Sequence, residues 1–296
     1  MGARMEKKSY SVKKLDKGVY VIDEYAMNYM YIVIGTEKCL AIDTGTGTGD
    51  YKSIVDRIAG DKPYDVVCTH CHVDHCGGIG QFRKIYIHPN DIAPVVAGNG
   101  RAGTISVANR RRYSARGFAV NPEGSLPFTL ESFQEIDTST IEFVGVREGD
   151  TFDLGNRSLT VYEMPGHSMG CICLLDKANQ ILFAGDNVSK ILILPMDLPH
   201  KERVQMWLTG AEKILALRPY YSVIYAGHLC PAPMELFLDQ VTLARKILTG
   251  EIQQEFLQAD EFRGPLYRYG EAYFTLEEEN LKTRDYRRIL HPDLCE

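Results

Sequence analysis

The sequence predicts an α/β chain, α+β in its arrangement, built as a sheet sandwich covered by helices, and three observations predict it. Apolar strand-like runs fall in two groups, with stretches of helical apolar spacing between and after them. One of these runs leads directly into His70-Cys71-His72-Val73-Asp74-His75. Three later runs each end on a glycine followed by a residue able to ligate a metal.

Taken in order, Val19-Tyr20-Val21-Ile22-Asp23, Tyr29 to Gly35 and Lys38 to Asp43 read as three strands of an antiparallel meander. A helix follows over Asp50 to Ala59, and Tyr64 to His70 reads as a buried strand. The interval from His88 to Thr140 holds Gly98-Asn99-Gly100, Arg110-Arg111-Arg112 with Arg116 and nearby Arg101, and Asn121-Pro122-Glu123-Gly124. It is read as a helical excursion with irregular turns that forms a lid or substrate wall over about 89–140. Tyr113, Phe118 and Phe128 are candidates to line that wall, or equally to pack the insertion itself, and the arginine run reads as a solvated face. Leu159 to Met164 is a strand, and Cys171 to Asp176 and Gln180 to Ala184 flank Lys177-Ala178-Asn179 as a hairpin. Ser222 to Ala226 is a further strand, and Lys201 to Leu217 and Pro233 to Leu248 are helices. The segment from Phe262 to Glu296, with Tyr267, Tyr269, Tyr273 and Phe274, reads as an extension that packs on the sandwich or on a second subunit, which leaves a homo-oligomer open. With no linker or internal repeat, residues 1–296 are read as one domain.

The histidine segment carries the chemistry. Side chains alternate along a strand, so His70 and His72 leave its end on the same side and form a two-pronged clamp. Asp74 and His75 follow just before Gly77-Gly78, where the chain departs, and approach from another direction. Three of the eight histidines within six positions make a solvated polar turn a poor account of this stretch. Pro165-Gly166-His167, Gly185-Asp186 and Gly227-His228 each follow an apolar run. Five imidazoles and two carboxylates so placed can hold two cations side by side, and bound cations turn water into a nucleophile at neutral pH.

At this point the chain resembles the metallo-β-lactamase-fold hydrolase superfamily, whose H-x-H-x-D-H signature stands here as His70 to His75, with its later His, Asp and His at His167, Asp186 and His228. The likeness runs over roughly residues 18 to 232 and implies a four-layer αββα sandwich. It implies that His70, His72 and His167 bind one ion, that Asp74, His75 and His228 bind the other, and that Asp186 bridges them. It further implies that Asp43, ending an early strand in Ala41-Ile42-Asp43-Thr44-Gly45, orients a ligand from behind.

Departures narrow the branch. Flavodiiron-type oxygen reductases generally carry Glu where this chain has His72, and zinc β-lactamases proper usually lack the bridging Asp. Asp186 therefore points toward glyoxalase II, lactonases and related esterases. Quorum-signal lactonases typically have a Tyr shortly after that Asp, whereas Asn187-Val188-Ser189-Lys190 follows here.

The expected activity is hydrolysis of a small ester, thioester or lactone by a metal-bridged hydroxide, with Asp74 both as ligand and as the carboxylate that orients the water or passes a proton. The cofactors are two divalent ions, zinc first, with iron or manganese compatible with the same donors. A mononuclear iron persulfide dioxygenase and a phosphodiesterase are the alternatives within the fold, and a non-catalytic metal-holding scaffold is disfavoured by the complete ligand set. The amidohydrolase barrel is set aside because strand and helix do not alternate eightfold.

Composition agrees with a small-molecule substrate. A net charge of −6 gives no global pull toward nucleic acid or an anionic membrane. No run of about 18 apolar residues appears, and the first residues lack an apolar export region, so a cytoplasmic protein is expected. The eight cysteines are then reduced and mostly buried. A separate zinc knuckle at Cys68 and Cys71 would compete for the space of His70 and His72. Cys71, Cys76 and Cys230 read first as packing residues, with oxidation-sensitive activity as the alternative should they stand close to the metals.

Overall fold

The computed structural model describes residues 10–25, 27–97, 105–120, 133–194, 198–258 and 263–275. Its first sheet takes seven strands in chain order: β1 (Ser11–Lys14), β2 (Val19–Asp23), β3 (Tyr29–Ile34), β4 (Cys39–Ile42), β5 (Tyr64–Val67), β6 (Lys84–Ile87) and β7 (Glu142–Gly145). β1 to β4 form the expected antiparallel meander, and the pairings from β4 to β7 are parallel. Parallel neighbours need a crossover. Helix α1 (Tyr51–Ala59) supplies the one between β4 and β5, with the Asp50 side chain accepting from the Ser53 amide as its N-cap. The one-turn helix α2 (Val73–Cys76) lies between β5 and β6, and α3 (Pro89–Ala97) and α4 (Val107–Val120) between β6 and β7.

The second sheet comprises β8 (Thr151–Asp153), β9 (Ser158–Glu163), β10 (Ile172–Asp176), β11 (Ile181–Gly185) and, after β12 (Ile191–Ile193), β13 (Val223–Ala226), in the order β13-β11-β10-β9-β8. Helices α5 (His200–Ala216) and α6 (Met234–Thr249) flank β13 in sequence. A smaller sheet joins β12 to β14 (Glu255–Gln258), β15 (Arg263–Tyr269) and β16 (Ala272–Thr275) in the order β12-β16-β15-β14.

Strand alternation explains the layers. Val19, Val21, Tyr31, Val33, Leu40 and Ile42 project from one face of the first sheet onto Phe152, Leu159, Val161, Ile172, Leu174 and Phe183 of the second. Ile22, Met30, Ile32 and Ala41 project from the other face onto Tyr51, Ile54 and Val55 of α1. Cys173, Leu175, Leu182 and Ala184 pack outward on Val204, Trp207 and Ala211 of α5 and on Phe237 and Val241 of α6. The arrangement is the four-layer αββα sandwich.

This topology gathers strand ends. β4 and β5 run parallel, as do β11 and β13, and β9 shares their direction because it is antiparallel to β10, itself antiparallel to β11. The residues that follow these strands therefore leave each sheet from one edge.

The described part of the 89–140 interval holds α3, α4 and a single 3-10 turn over Thr138–Thr140, with 133–137 irregular, and it corrects one expectation. Arg110 is not on a solvated face but 6% exposed, because α4 turns residues 110 and 114 inward together. Its Nε donates to Thr46 O at 3.0 Å, its Nη2 to Gly47 O at 3.1 Å and its Nη1 to Gln134 O at 2.8 Å, with the guanidinium over the Phe133 ring. Arg112 is exposed as expected. Arg101, Phe128 and the side chains of Arg116 and Phe118 lie outside the described residues.

Candidate metal centre

Each strand end contributes to one cluster. After β5 the chain presents His70 and His72, and the His72 carbonyl accepts the His75 amide at 3.0 Å and so starts the turn of α2 that carries Asp74 and His75. β9 leads to His167, β11 to Asp186 and β13 to His228. All seven side chains expected at the site come together in two groups, His70, His72, His167 and Asp186, and Asp74, His75, Asp186 and His228, and within each the candidate ligand atoms lie within 4.8 Å of one another. Asp186 belongs to both.

The distances define two facing halves. His72 Nδ1 and His167 Nε2 are 2.7 Å apart, and Asp186 Oδ2 is 3.3 Å from His167 Nε2 and 3.8 Å from His70 Nε2. On the other side Asp186 Oδ1 is 3.1 Å from His75 Nε2, and Asp186 Oδ2 is 3.2 Å from His228 Nε2. Asp74 Oδ2 lies 3.4 Å from His228 Nε2 and 3.7 Å from His75 Nε2. Despite this closeness His70 Nε2, His75 Nε2 and Asp186 Oδ1 are buried without an aligned hydrogen-bond partner. Buried polar atoms left unpaired cost on the order of 1–3 kcal/mol each. Inward-facing imidazole nitrogens and carboxylate oxygens that converge without an aligned hydrogen bond are the donor set that a divalent cation satisfies.

The outward atoms of the same rings are tied down, which orients the inward ones. His167 Nδ1 donates to Ile193 O at 2.7 Å and His228 Nδ1 to Met27 O at 2.8 Å. His75 Nδ1 lies 2.9 Å from Asp43 Oδ2. Asp43 also accepts the Thr69 amide at 2.7 Å and the Thr69 hydroxyl at 3.0 Å, and that hydroxyl oxygen is 3.1 Å from His70 Nδ1. One carboxylate thus reaches a ring in each half. Asn28 Nδ2 donates to the Asp74 carbonyl and fixes the start of α2. Gly227 has no alternative, since a Cβ there would stand 2.3 Å from Asp186 Oδ1.

Charge divides the cluster. Burial, with like-charge pressure from His75 and His72, holds His70 well below the usual imidazole range, and burial beside His167 lowers His72 to about 3. Burial pushes His228 and His75 the same way, but Asp186 and Asp74 outweigh it, raising His228 to about 10 and His75 well above its ordinary value. Burial also opposes ionisation of Asp186 and Asp74. The neighbouring His228 and His75 nevertheless hold both carboxyls well below the usual carboxylate range. His70 and His72 are therefore held neutral, while Asp74 and Asp186 are held ionised.

Other residues separate from the site. Asn187 turns toward Cys173 Sγ, 3.7 Å away, on the helix-covered side of the second sheet, and not into the cluster. Neither ligand group contains a cysteine, which leaves no zinc knuckle at Cys68 and Cys71 among the described residues. Cys71 and Cys76 are buried with their thiols pushed well up, and burial raises Cys230 to about 11, so none is poised as a thiolate. The carbonyls of Met27 and Ile193, the Thr69 hydroxyl and the Asn28 amide were not foreseen. A backbone carbonyl has no residue signature, although Thr69 directly before His70 offered one.

Residues 25–228 match the family model of the metallo-beta-lactamase superfamily. The chain is 31% identical over 199 residues to the acyl-coenzyme A thioesterase MBLAC2 of Gallus gallus, a match covering 60% of this chain and 66% of that protein, just under two thirds of its length. It is 30% identical over 239 residues to the protein of the same name from Bos taurus, covering 74% of this chain and 81% of that one. Among solved structures, ST1585 of Sulfolobus tokodaii, an archaeal metallo-beta-lactamase superfamily protein, aligns with a TM-score of 0.55 at 17% identity over 83% of this chain and 90% of that chain, a likeness of fold. A family match across most of the chain, an αββα sandwich and a His/Asp cluster at its strand ends lead to one statement: this chain belongs to the metallo-beta-lactamase superfamily.

Proposed function

We propose that the protein is a dinuclear metallohydrolase of acyl thioesters, with acyl-coenzyme A as the substrate class. The observation that carries the reading is the pair of ligand groups sharing Asp186. A mononuclear iron dioxygenase would need only one of them. The thioester preference rests on the relatives named acyl-coenzyme A thioesterase, the one from Bos taurus matched over 81% of its length.

Bound by these residues, two divalent ions, zinc first with iron or manganese suited to the same donors, would supply a water acidified from about 15.7 toward about 7 and would polarise the substrate carbonyl. His70, His72 and His167 would hold one ion, Asp74, His75 and His228 would hold the other, and Asp186 would contribute to both. Asp74 has two roles. Its ionised carboxylate ligates beside His228 and orients the attacking water, whose proton it can take. The water oxygen bonds to the carbonyl carbon, the carbon–sulfur bond breaks, and the thiol leaves with the proton that Asp74 returns. Asp43 holds His75 directly and His70 through Thr69, keeping both rings aimed while the carbonyl carbon changes geometry. Arg110 anchors α4 to Thr46 and Gly47, in the loop that follows Asp43, so that α4 can serve as a wall beside the site.

Among the described residues no helix is long and apolar enough to cross a membrane. The test is release of free thiol from acetyl-, octanoyl- and palmitoyl-coenzyme A by zinc-loaded protein, beside simple lactones and bis(p-nitrophenyl) phosphate. Thiol release with at least one acyl chain, abolished by chelation and restored by zinc, is expected. Turnover of lactone or phosphodiester alone overturns the substrate class.

A further inference from the structure

Asp91, in the first turn of α3, is 1% exposed and lies outside both ligand groups. Its Oδ2 accepts the Cys71 amide at 2.9 Å and the Ser168 hydroxyl at 2.6 Å, and its Oδ1 accepts the Gly170 amide at 2.8 Å. Cys71 sits between His70 and His72, and Ser168 follows His167. One carboxylate therefore joins two loops whose histidines, His72 and His167, are 95 residues apart in sequence and 2.7 Å apart in space. The closure is tight: a Cβ at residue 170 would stand 2.5 Å from Asp91 Cγ, so only glycine lets that loop reach the carboxylate.

Burying an ionised carboxyl is costly unless donors surround it. Three donors from two loops meet that need, and all three belong to the segments bearing His70, His72 and His167. None comes from α2 or from the turn that carries His228. We propose that Asp91 is a positioning residue for the three-histidine half of the site, setting the separation of the His70/His72 loop from the His167 loop and with it the metal affinity of that half alone. Without the clasp the two loops would have to be ordered by the cation itself, and that ordering would be subtracted from the binding free energy. The proposal rests on the dinuclear reading.

The experiment is zinc titration of metal-free protein against a chromophoric chelator, which resolves the affinity of each half. Measurements in wild type and in a His228→Ala background assign the two affinities. Asp91→Asn keeps size but leaves one acceptor oxygen for donors that need both ends. It is expected to weaken the three-histidine half about 10- to 100-fold and to leave the other half unchanged. Ser168→Ala, which removes a single donor, should give a smaller loss in the same half and keeps the test alive if Asp91→Asn fails to fold. Wild-type protein that takes up two ions while both variants keep the wild-type affinity of the three-histidine half overturns the clasp alone. Equal loss in both halves, with a lower melting point of the metal-free protein, overturns it in favour of a general structural role. Wild type that takes up fewer than two ions sinks the dinuclear reading and the clasp with it.

Discussion

Asp43 has a backbone φ of +65°, in the left-handed region where few side chains other than Asp and Asn settle without strain. The gain is reach: from that turn its two oxygens serve Thr69 and His75 together. Asp43→Asn should keep the fold, since Asn tolerates the same φ, but it removes the charge facing His75. Zinc affinity measured by chelator competition is expected to fall about 10- to 100-fold. Wild-type affinity in that variant would show that Asp43 has no orienting role. At this scale the ligands were largely legible, because His70 to His75 crowds donors after an apolar strand and the glycines before His167, Asp186 and His228 mark strand ends. The atoms that aim those ligands were not. Met27 O and Ile193 O act through the backbone, which any residue could supply, and the burial of Arg110 depends on which face of α4 meets the loop at Thr46.

Strand β16 shows how an element distant in sequence becomes part of the site. It pairs in parallel with β12, and Leu194 N donates to Thr275 O at 2.9 Å, which fixes the strand whose Ile193 carbonyl holds His167. Phe274 on β16 is fully buried and meets Trp207 edge-on at 5.2 Å between ring centroids. Phe274 and Tyr267 of the C-terminal extension therefore pack on the sandwich of their own chain. Phe274→Ala is expected to lower unfolding free energy by about 3–5 kcal/mol in denaturant titration, as for other large buried aromatics. A loss below about 1 kcal/mol would mean that β16 is peripheral. Most strands and helices of the two sheets were legible to within a residue or so because alternation and helical spacing repeat over several residues, but β5 ends at Val67, before the expected His70, and β1, β6, β7 and β8 were not foreseen. The short α2 was not, since a single turn has no period to read. Its formation follows from the His72 carbonyl collecting the amides of His75 and Cys76.

At the scale of the molecule, two sheets packed face to face bring strands of common direction to one edge, and seven candidate ligand side chains from four strand ends converge there. Periodicity could predict the sheets but not their mutual placement. The likeness to a known superfamily supplied that step, and the layered core of Trp207, Phe183 and Tyr51 gives its physical basis. In the proposed function Asp186 couples two cations into one hydrolytic centre. The most direct measurement is elemental analysis of zinc-reconstituted wild type and Asp186→Ala, with acyl-coenzyme A hydrolysis followed on the same samples. Wild type is expected to bind about two metal equivalents per chain, and the variant to lose metal and turnover together. An Asp186→Ala protein that keeps both equivalents and full turnover would contradict that coupling.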